Sequence, residues 1–314
     1  FSKHEFKGPD ARKFLDHIMA GRLPKPGRIS LSPMLSYRGK LCGDLTVACL
    51  DENEFMVFGS GAAQEMHRRW FESHIDKFNL SYSNRSDEYH GLSIAGPNSR
   101  KVLEKIVRDD VSNEKFKFRD SRRMFVGGVP AIINRISFTG ELGYEIYVAP
   151  HYQLKLYEEL MEAGKEFNIK PFGGRALMSM RLEKNWGAWT LDYRPDFTAK
   201  ETGLDAFINW DKEFIGKESA QKENSSNKLV PLIVETNEID VTNNEAVLNG
   251  DQSIGYVTSG GFAHFVNKSV AFTFVDQKKI KSENKIQVEI NGDLFNCSII
   301  KEPLYDPSGQ KMRS

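Results

Sequence analysis

Cysteine is scarce in this sequence, and its few cysteines form no recognisable motif. Cys42, Cys49 and Cys297 are three among 314 residues, and none belongs to a Cys-X-X-Cys pair. An odd, scattered set argues against a disulfide framework and favours a reducing compartment. We therefore expect the protein in the cytoplasm, with the mitochondrial matrix as the alternative.

The sequence also lacks a charge imbalance and long apolar runs. Lys plus Arg and Asp plus Glu both total 43, so no global basic field attracts nucleic acid or a membrane surface. Because no run of about 18 apolar residues occurs, we expect no membrane partner. The chain begins at Phe1 without a signal-like segment, which leads us to expect a fragment or a trimmed chain.

The common catalytic fingerprints are missing as well. There is no GxGxxG after a strand, no Walker loop, no HExxH and no GxSxG. The seven histidines lack metal-ligand spacing, so we predict no metal site. A flavin or nicotinamide domain is not expected within this chain. An enzyme of this kind has to use carboxylates or position a cofactor brought from elsewhere.

Two similar segments of the sequence indicate how the chain is organised. Segments 6–18 (FKGPDARKFLDHI) and 94–106 (IAGPNSRKVLEKI) both place Gly-Pro between a strand pattern and a helix pattern. Asp10 and Asn98 stand at the helix N-cap position of the two copies. We interpret this similarity as a duplicated α+β unit, although two unrelated strand-turn-helix pieces remain an alternative.

The composition and pattern of the sequence change after residue 221. A polar stretch, KENSSNK, precedes short β-like runs separated by turn residues, which predict a small antiparallel barrel or sandwich. The predicted fold class is therefore α+β. A duplicated body covers 1–221, with units of about 1–88 and 89–221, and a C-terminal β-barrel domain covers 222–314.

Two carboxylates are candidate site residues. In FTGELGYEIYV (138–148), strand alternation places Glu145 and Tyr147 on one face, while Tyr144 shares the other face with Ile146. Glu145 is either a solvated edge residue or an acceptor for a flat heterocycle. Asp44 follows a glycine at the start of a strand and could equally be a turn residue. Because both lie in hairpins of the two units, we predict that they occupy matching places around a shared cavity.

Several motifs, in this order, resemble the glycine-cleavage aminomethyltransferase superfamily. They are GPDARKFLDHI, RGKLCGDLTV, ISFTGELGYEIYV, SMRLEKNWGAW, ETGLDAFI, EFIGKESA, GYVTSGGF and EPLYDP. The resemblance runs from Phe1 to about Pro307 and looks most like the folate-binding C-terminal region of dimethylglycine and sarcosine dehydrogenases. It implies tetrahydrofolate as the cofactor, and FAD only if an upstream domain exists outside this chain.

The resemblance also implies roles for individual residues. Glu145 matches the glutamate that holds the pterin ring, and Asp44 matches the acidic residue that handles a proton or an iminium cation during transfer. Phe138 stands where the family often has a tyrosine, so it keeps a ring but loses a hydroxyl. Arg175 is expected to meet the carboxylate tail of folate, or else to be a solvated helix-start residue. Trp189 is expected to wall the pocket, or else to pack in the core.

The expected function is tetrahydrofolate-dependent one-carbon transfer. The methylene would come, as a small N-methyl amine-derived iminium, from oxidative demethylation of dimethylglycine or sarcosine by a fused or associated flavin domain. Two alternatives stay open. One is a stand-alone folate-dependent methyl- or aminomethyltransferase, and the other is a non-catalytic folate-binding protein of the same fold.

Overall fold

The computed structural model describes residues 1–236 and 238–314. The first unit is a sheet with helices packed on one face. Its elements are β1 (Ser2–Lys7), α1 (Ala11–Ile18), β2 (Arg28–Leu35), β3 (Leu41–Asp51), β4 (Glu54–Gly59), α2 (Gln64–Glu72) and β5 (Ser81–Asn84). The strands pair in the order β2-β3-β4-β1-β5. Leu45, Val47 and Cys49, at alternate positions of β3, share a buried cluster with Phe14 and Leu15 of α1.

The second unit repeats this arrangement. Its elements are β6 (His90–Ala95), α3 (Ser99–Glu104), β7 (Ser121–Val126), β8 (Val129–Asn134), β9 (Gly143–Val148) and α4 (Gln153–Gly164). The strand order β6-β9-β8-β7 places β7, β8, β9 and β6 where the first unit has β2, β3, β4 and β1. Gly8 and Gly96, ahead of the two helices, have φ of 137° and 132°. Duplication of an α+β unit is thereby confirmed.

The topology corrects one prediction about the repeat. Asp44 lies on the first strand of hairpin β3–β4, whereas Glu145 lies on the second strand of hairpin β8–β9. The two carboxylates do not occupy matching places, and the prediction that they do is wrong. Asp10 and Asn98 hold the N-cap positions, but neither side chain makes a cap hydrogen bond. Asp10 instead accepts the backbone N–H of Asn79 at 2.8 Å.

The two sheets pack face to face and meet where β2 and β7 begin. Ala48 and Phe58 of the first sheet share a buried cluster with Ile132 and Tyr147 of the second. There, the N–H of Ile29 donates to the carbonyl oxygen of Arg119 at 2.9 Å. Asp44 lies on the same face of β3 as Ala48, and Glu145 on the same face of β9 as Tyr147. Each carboxylate therefore lies on the sheet face that is turned toward the other unit.

Four α-helices and a barrel complete the described part of the chain. They are α5 (Gly174–Glu183), α6 (Ala199–Thr202), α7 (Lys217–Gln221), β10 (Asn227–Val234), β11 (Ala246–Asn249), β12 (Gln252–Ala263), β13 (Lys268–Asp276), β14 (Ile286–Ile290), β15 (Asp293–Ile299) and a final α8 (Gln310–Arg313). The strands close in the antiparallel order β10-β13-β12-β11-β14-β15, which confirms the predicted barrel. The boundaries proposed for the domains stay predictions. In the described residues, no helix has the length and apolar character needed to traverse a bilayer.

Candidate functional site

Glu145 is held by the neighbouring tyrosine on its own strand face. The Tyr147 hydroxyl donates to Oε2 of Glu145 at 2.7 Å, and the Tyr147 ring stacks on Phe58 with centroids 4.5 Å apart. The alternation predicted for this strand is confirmed, since Tyr144 and Ile146 lie in the core of the second unit. Burial raises the pKa of Glu145, and the bond from Tyr147 opposes that shift. A carboxylate held by one phenol keeps further acceptor positions for a ligand with two N–H donors.

Few favourable interactions offset the burial of the Asp44 carboxylate. Burial raises the pKa of Asp44 to about 7, and among the described residues no neighbouring charge contributes to that shift. Its opposite residue across the β2–β3 pair is Pro33. Such a group exchanges a proton near neutral pH, which suits a general base.

A buried histidine, which sequence reasoning missed, lies beside Trp189 and against the strand that carries Asp44. His67 has a ring nitrogen 3.0 Å from the carbonyl oxygen of Cys42, and its ring centroid lies 6.2 Å from that of Trp189. A Cβ on Gly43 would lie 2.9 Å from Nε2 of His67, so the glycine before Asp44 permits this approach. Burial lowers the pKa of His67 to about 4. The histidine is therefore neutral at pH 7. Its position on α2 gave no motif by which it could be found.

A buried ion pair fixes the loop that carries Trp189. Arg181 of α5 and Asp192 are both fully buried, and a guanidinium nitrogen of Arg181 lies 2.5 Å from Oδ2 of Asp192. Asp192 also accepts bonds from Thr258 and Ser259 of the barrel, at 2.5 and 2.6 Å, and from the N–H of Ala188 at 2.9 Å. This network ties helix, loop and barrel together. The pairing and the hydrogen bonds to Asp192 offset part of the cost of burying these charges, and Nε of Arg181 has no hydrogen-bond partner among the described residues.

The same loop brings a tyrosine close to Asp44. The buried Tyr193 hydroxyl accepts the N–H of Gly187 at 3.1 Å, and a Cβ on Gly187 would lie 2.4 Å from the Tyr193 ring. Burial is the main cause that raises the pKa of Tyr193, and the charge of Asp44 is the next. Trp189 is half-buried at the edge of the cluster that contains Tyr193. Sequence reasoning singled out Trp189 but not Tyr193.

Phe138 and Arg175 occupy less enclosed places. Phe138 is half-buried in the loop between β8 and β9. Arg175 is exposed on the first turn of α5. Its neighbours Gly174 and Leu177 line a cavity of about 550 Å³ beside the open edge of β6. In the part of the chain that the structure describes, none of the five predicted site residues lines this cavity.

Comparisons with known proteins agree with this fold. Residues 1–212 match the family described as the GCVT N-terminal domain. Residues 227–306 match the glycine cleavage T-protein C-terminal barrel domain. The chain therefore belongs to the folate-dependent aminomethyltransferase family of the glycine-cleavage T-protein, a family that binds tetrahydrofolate.

Individual relatives differ in how much of their length is matched. The chain is 35% identical over 312 residues to the mitochondrial dimethylglycine dehydrogenase of Homo sapiens, but spans only 36% of that protein. It is 30% identical to an aminomethyltransferase of Caldanaerobacter subterraneus and spans 83% of it. The structure of the glycine cleavage system aminomethyltransferase T from Bartonella henselae superposes with a TM-score of 0.87 at 22% identity, covering 98% of this chain and 84% of that one. That last likeness shows the fold.

Proposed function

We propose that this chain captures a one-carbon unit on tetrahydrofolate, and that the unit is the methylene released by oxidative N-demethylation of dimethylglycine or sarcosine. The observation that carries the proposal is the placement of Asp44 and Glu145. Both carboxylates lie on the sheet faces turned toward the opposite unit, and burial raises the pKa of both. The similarity to dimethylglycine dehydrogenase over 97% of this chain supports the choice of donor.

The two carboxylates have separate tasks in this proposal. Glu145 would accept the paired N–H donors of the pterin ring and so fix its orientation. Asp44 would take the proton that a folate nitrogen loses when that nitrogen attacks the electrophilic carbon of an iminium donor. While ionised, Asp44 would also stabilise the cationic donor. Phe138 and Trp189 would supply apolar contact area around the ligand, and Arg175 would meet the carboxylate tail of folate.

The flavin chemistry that generates the iminium is assigned to a fused or associated domain outside the described fold. We also propose a reducing compartment, the cytoplasm or the mitochondrial matrix, because Cys42, Cys49 and Cys297 are all free thiols.

The resemblance to aminomethyltransferases of similar length favours one rival function, transfer of an aminomethyl group. The deciding experiment supplies the isolated chain with tetrahydrofolate and, in separate reactions, formaldehyde with sarcosine, which condense to the iminium that oxidation of dimethylglycine gives, or an aminomethyl donor. Methylenetetrahydrofolate formed from the first mixture above the uncatalysed rate supports the proposal. Turnover of the aminomethyl donor alone supports the rival, and folate binding without either reaction identifies a binding protein.

A further inference from the structure

The end of helix α5 is joined to the segment that follows the barrel. Nζ of Lys184 donates to the carbonyl oxygen of Asp306 at 2.5 Å and to that of Tyr305 at 3.4 Å. The N–H of Tyr305 in turn donates to the carbonyl oxygen of Glu183 at 3.0 Å. The side chains of Lys184 and Asp306 are 9% and 6% exposed. The contact is thus largely shielded from water and less screened than a surface ion pair.

The same segment reaches the loop between β8 and β9. The Tyr305 hydroxyl donates to the carboxylate of Glu141. Nζ of Lys311 donates to that hydroxyl oxygen at 2.7 Å, which leaves the phenol proton for Glu141. The Tyr305 ring packs edge-on against Phe265 with centroids 4.9 Å apart. Glu141, Lys184, Tyr305 and Asp306 are called the C-terminal contact below.

The backbone of the loop is also shaped around Lys184. Gly140 has φ of 88°, and a Cβ there would lie 2.6 Å from Cδ of Lys184. A side chain at this position would meet both a strained backbone and the lysine stem. The loop therefore packs on Lys184 through a glycine and bonds Tyr305 through the next residue.

This loop carries one candidate ligand-facing residue and leads into the strand that carries another. It contains Phe138 and enters β9 at Gly143, two residues before Glu145. At the loop end, the carbonyl oxygen of Leu142 accepts the N–H of Gly96 and the hydroxyl of Ser99, each at 2.9 Å. The strand end is thus anchored within its own unit. The loop ahead of it is contacted by Lys184 at the end of α5 and by Tyr305 of the segment after the barrel.

We propose that the C-terminal contact is a positioning device for folate binding. Tyr305 and Lys184 are positioning residues that hold the β8–β9 loop, and through it Phe138. This inference rests on the proposed function, since it names what fixes the pterin side of that site. Asp44 lies on the other sheet, so the contact affects folate binding rather than the proton transfer assigned to Asp44.

The test uses the full chain and variants that keep the packing. Tyr305→Phe removes the hydroxyl but retains the ring against Phe265, and Glu141→Ala removes the acceptor from the other side. Glu141→Gln keeps an oxygen that accepts the phenol proton. Tyr37→Phe, which removes an exposed hydroxyl bonded to His74, is the matched control. The readouts are amide hydrogen exchange over 136–142, the folate Kd, and KM against kcat for transfer.

We expect Tyr305→Phe and Glu141→Ala to speed exchange in the loop several-fold. Both should raise the folate Kd and KM about fivefold, the scale of one lost hydrogen bond, with kcat unchanged. Glu141→Gln, which keeps a neutral acceptor, should have a smaller effect than Glu141→Ala, and Tyr37→Phe should behave as wild type. Unchanged loop exchange in both disrupting variants, or faster exchange with an unchanged Kd, would overturn the inference. If the wild type itself does not bind folate, the proposed function fails, and the exchange data alone decide whether the contact holds the loop.

Discussion

Glu145 and Tyr147 face the first unit side by side, joined by a hydrogen bond of 2.7 Å from the tyrosine hydroxyl to Oε2. The Tyr147 ring is itself fixed by stacking on Phe58 of the opposite sheet. The orientation of the carboxylate is therefore set by a contact between the two units. A ligand that meets Glu145 meets an acceptor already held in place, which reduces the entropy lost on binding.

Replacing Glu145 with Ala should weaken tetrahydrofolate binding. Losing charge-assisted hydrogen bonds of this kind costs about 1.5–3 kcal/mol, or roughly 10- to 150-fold in Kd. Calorimetric titration of folate into both proteins measures the change. Glu166→Ala, which breaks an exposed ion pair with Lys105, is the control and should bind as wild type. Equal affinity for wild type and Glu145→Ala would remove Glu145 from the site.

Replacing Arg175 with Ala should have a smaller effect. The side chain is exposed, so its attraction to a folate carboxylate is screened, and we expect about a threefold rise in Kd at low salt. The rise should shrink as salt is added. Titrations at two ionic strengths, with Lys170→Ala as a nearby cationic comparison, test this. An Arg175→Ala Kd equal to wild type at low salt would identify a solvated helix-start residue.

His67 should make stability depend on pH. Burial holds its pKa at about 4, below the ordinary value of 6.5, so the unfolded chain binds the proton first. Its stabilising contribution is complete above pH 6.5 and is lost as the pH falls toward 4. Between pH 7.5 and 5 the loss is roughly 2 kcal/mol.

The measurement is urea unfolding of wild type and His67→Gln at both pH values. Gln keeps a donor for the carbonyl of Cys42 but does not titrate. Subtracting the two pH dependences removes the opposing contribution of Asp44, whose raised pKa favours the folded state at lower pH. Identical pH dependences for the two proteins would mean that His67 is not held neutral by burial.

Local patterns in the sequence predicted the elements well. The helix patterns that follow the two Gly-Pro pairs form α1 and α3, and the alternation of β9 was read correctly. Both depend on residues within a few positions of one another, where periodicity is informative. The barrel was predicted in the same way, from short runs separated by turns.

Contacts between distant segments could not be predicted from local patterns. His67 and Trp189 meet across the fold, and the partner of Arg181 is an aspartate in a loop. Nothing in the spacing of these residues indicates their pairing. The predicted equivalence of Asp44 and Glu145 was wrong because the two units were matched by their hairpins alone. Asp44 lies on the first strand of its hairpin and Glu145 on the second strand of its own. The family resemblance indicated both carboxylates, and their roles remain predictions.

The central claim is that Asp44 accepts the proton in one-carbon transfer. Because burial raises its pKa to about 7, the wild-type rate at saturating folate should rise as the pH increases through 7 and level off above it. Asp44→Asn should keep folate affinity and lower the rate by about 100-fold or more, without the pH dependence. The decisive measurement is methylenetetrahydrofolate formation by both proteins from pH 5.5 to 8.5. A variant that matches the wild-type rate and pH profile would contradict the account and remove Asp44 from the mechanism.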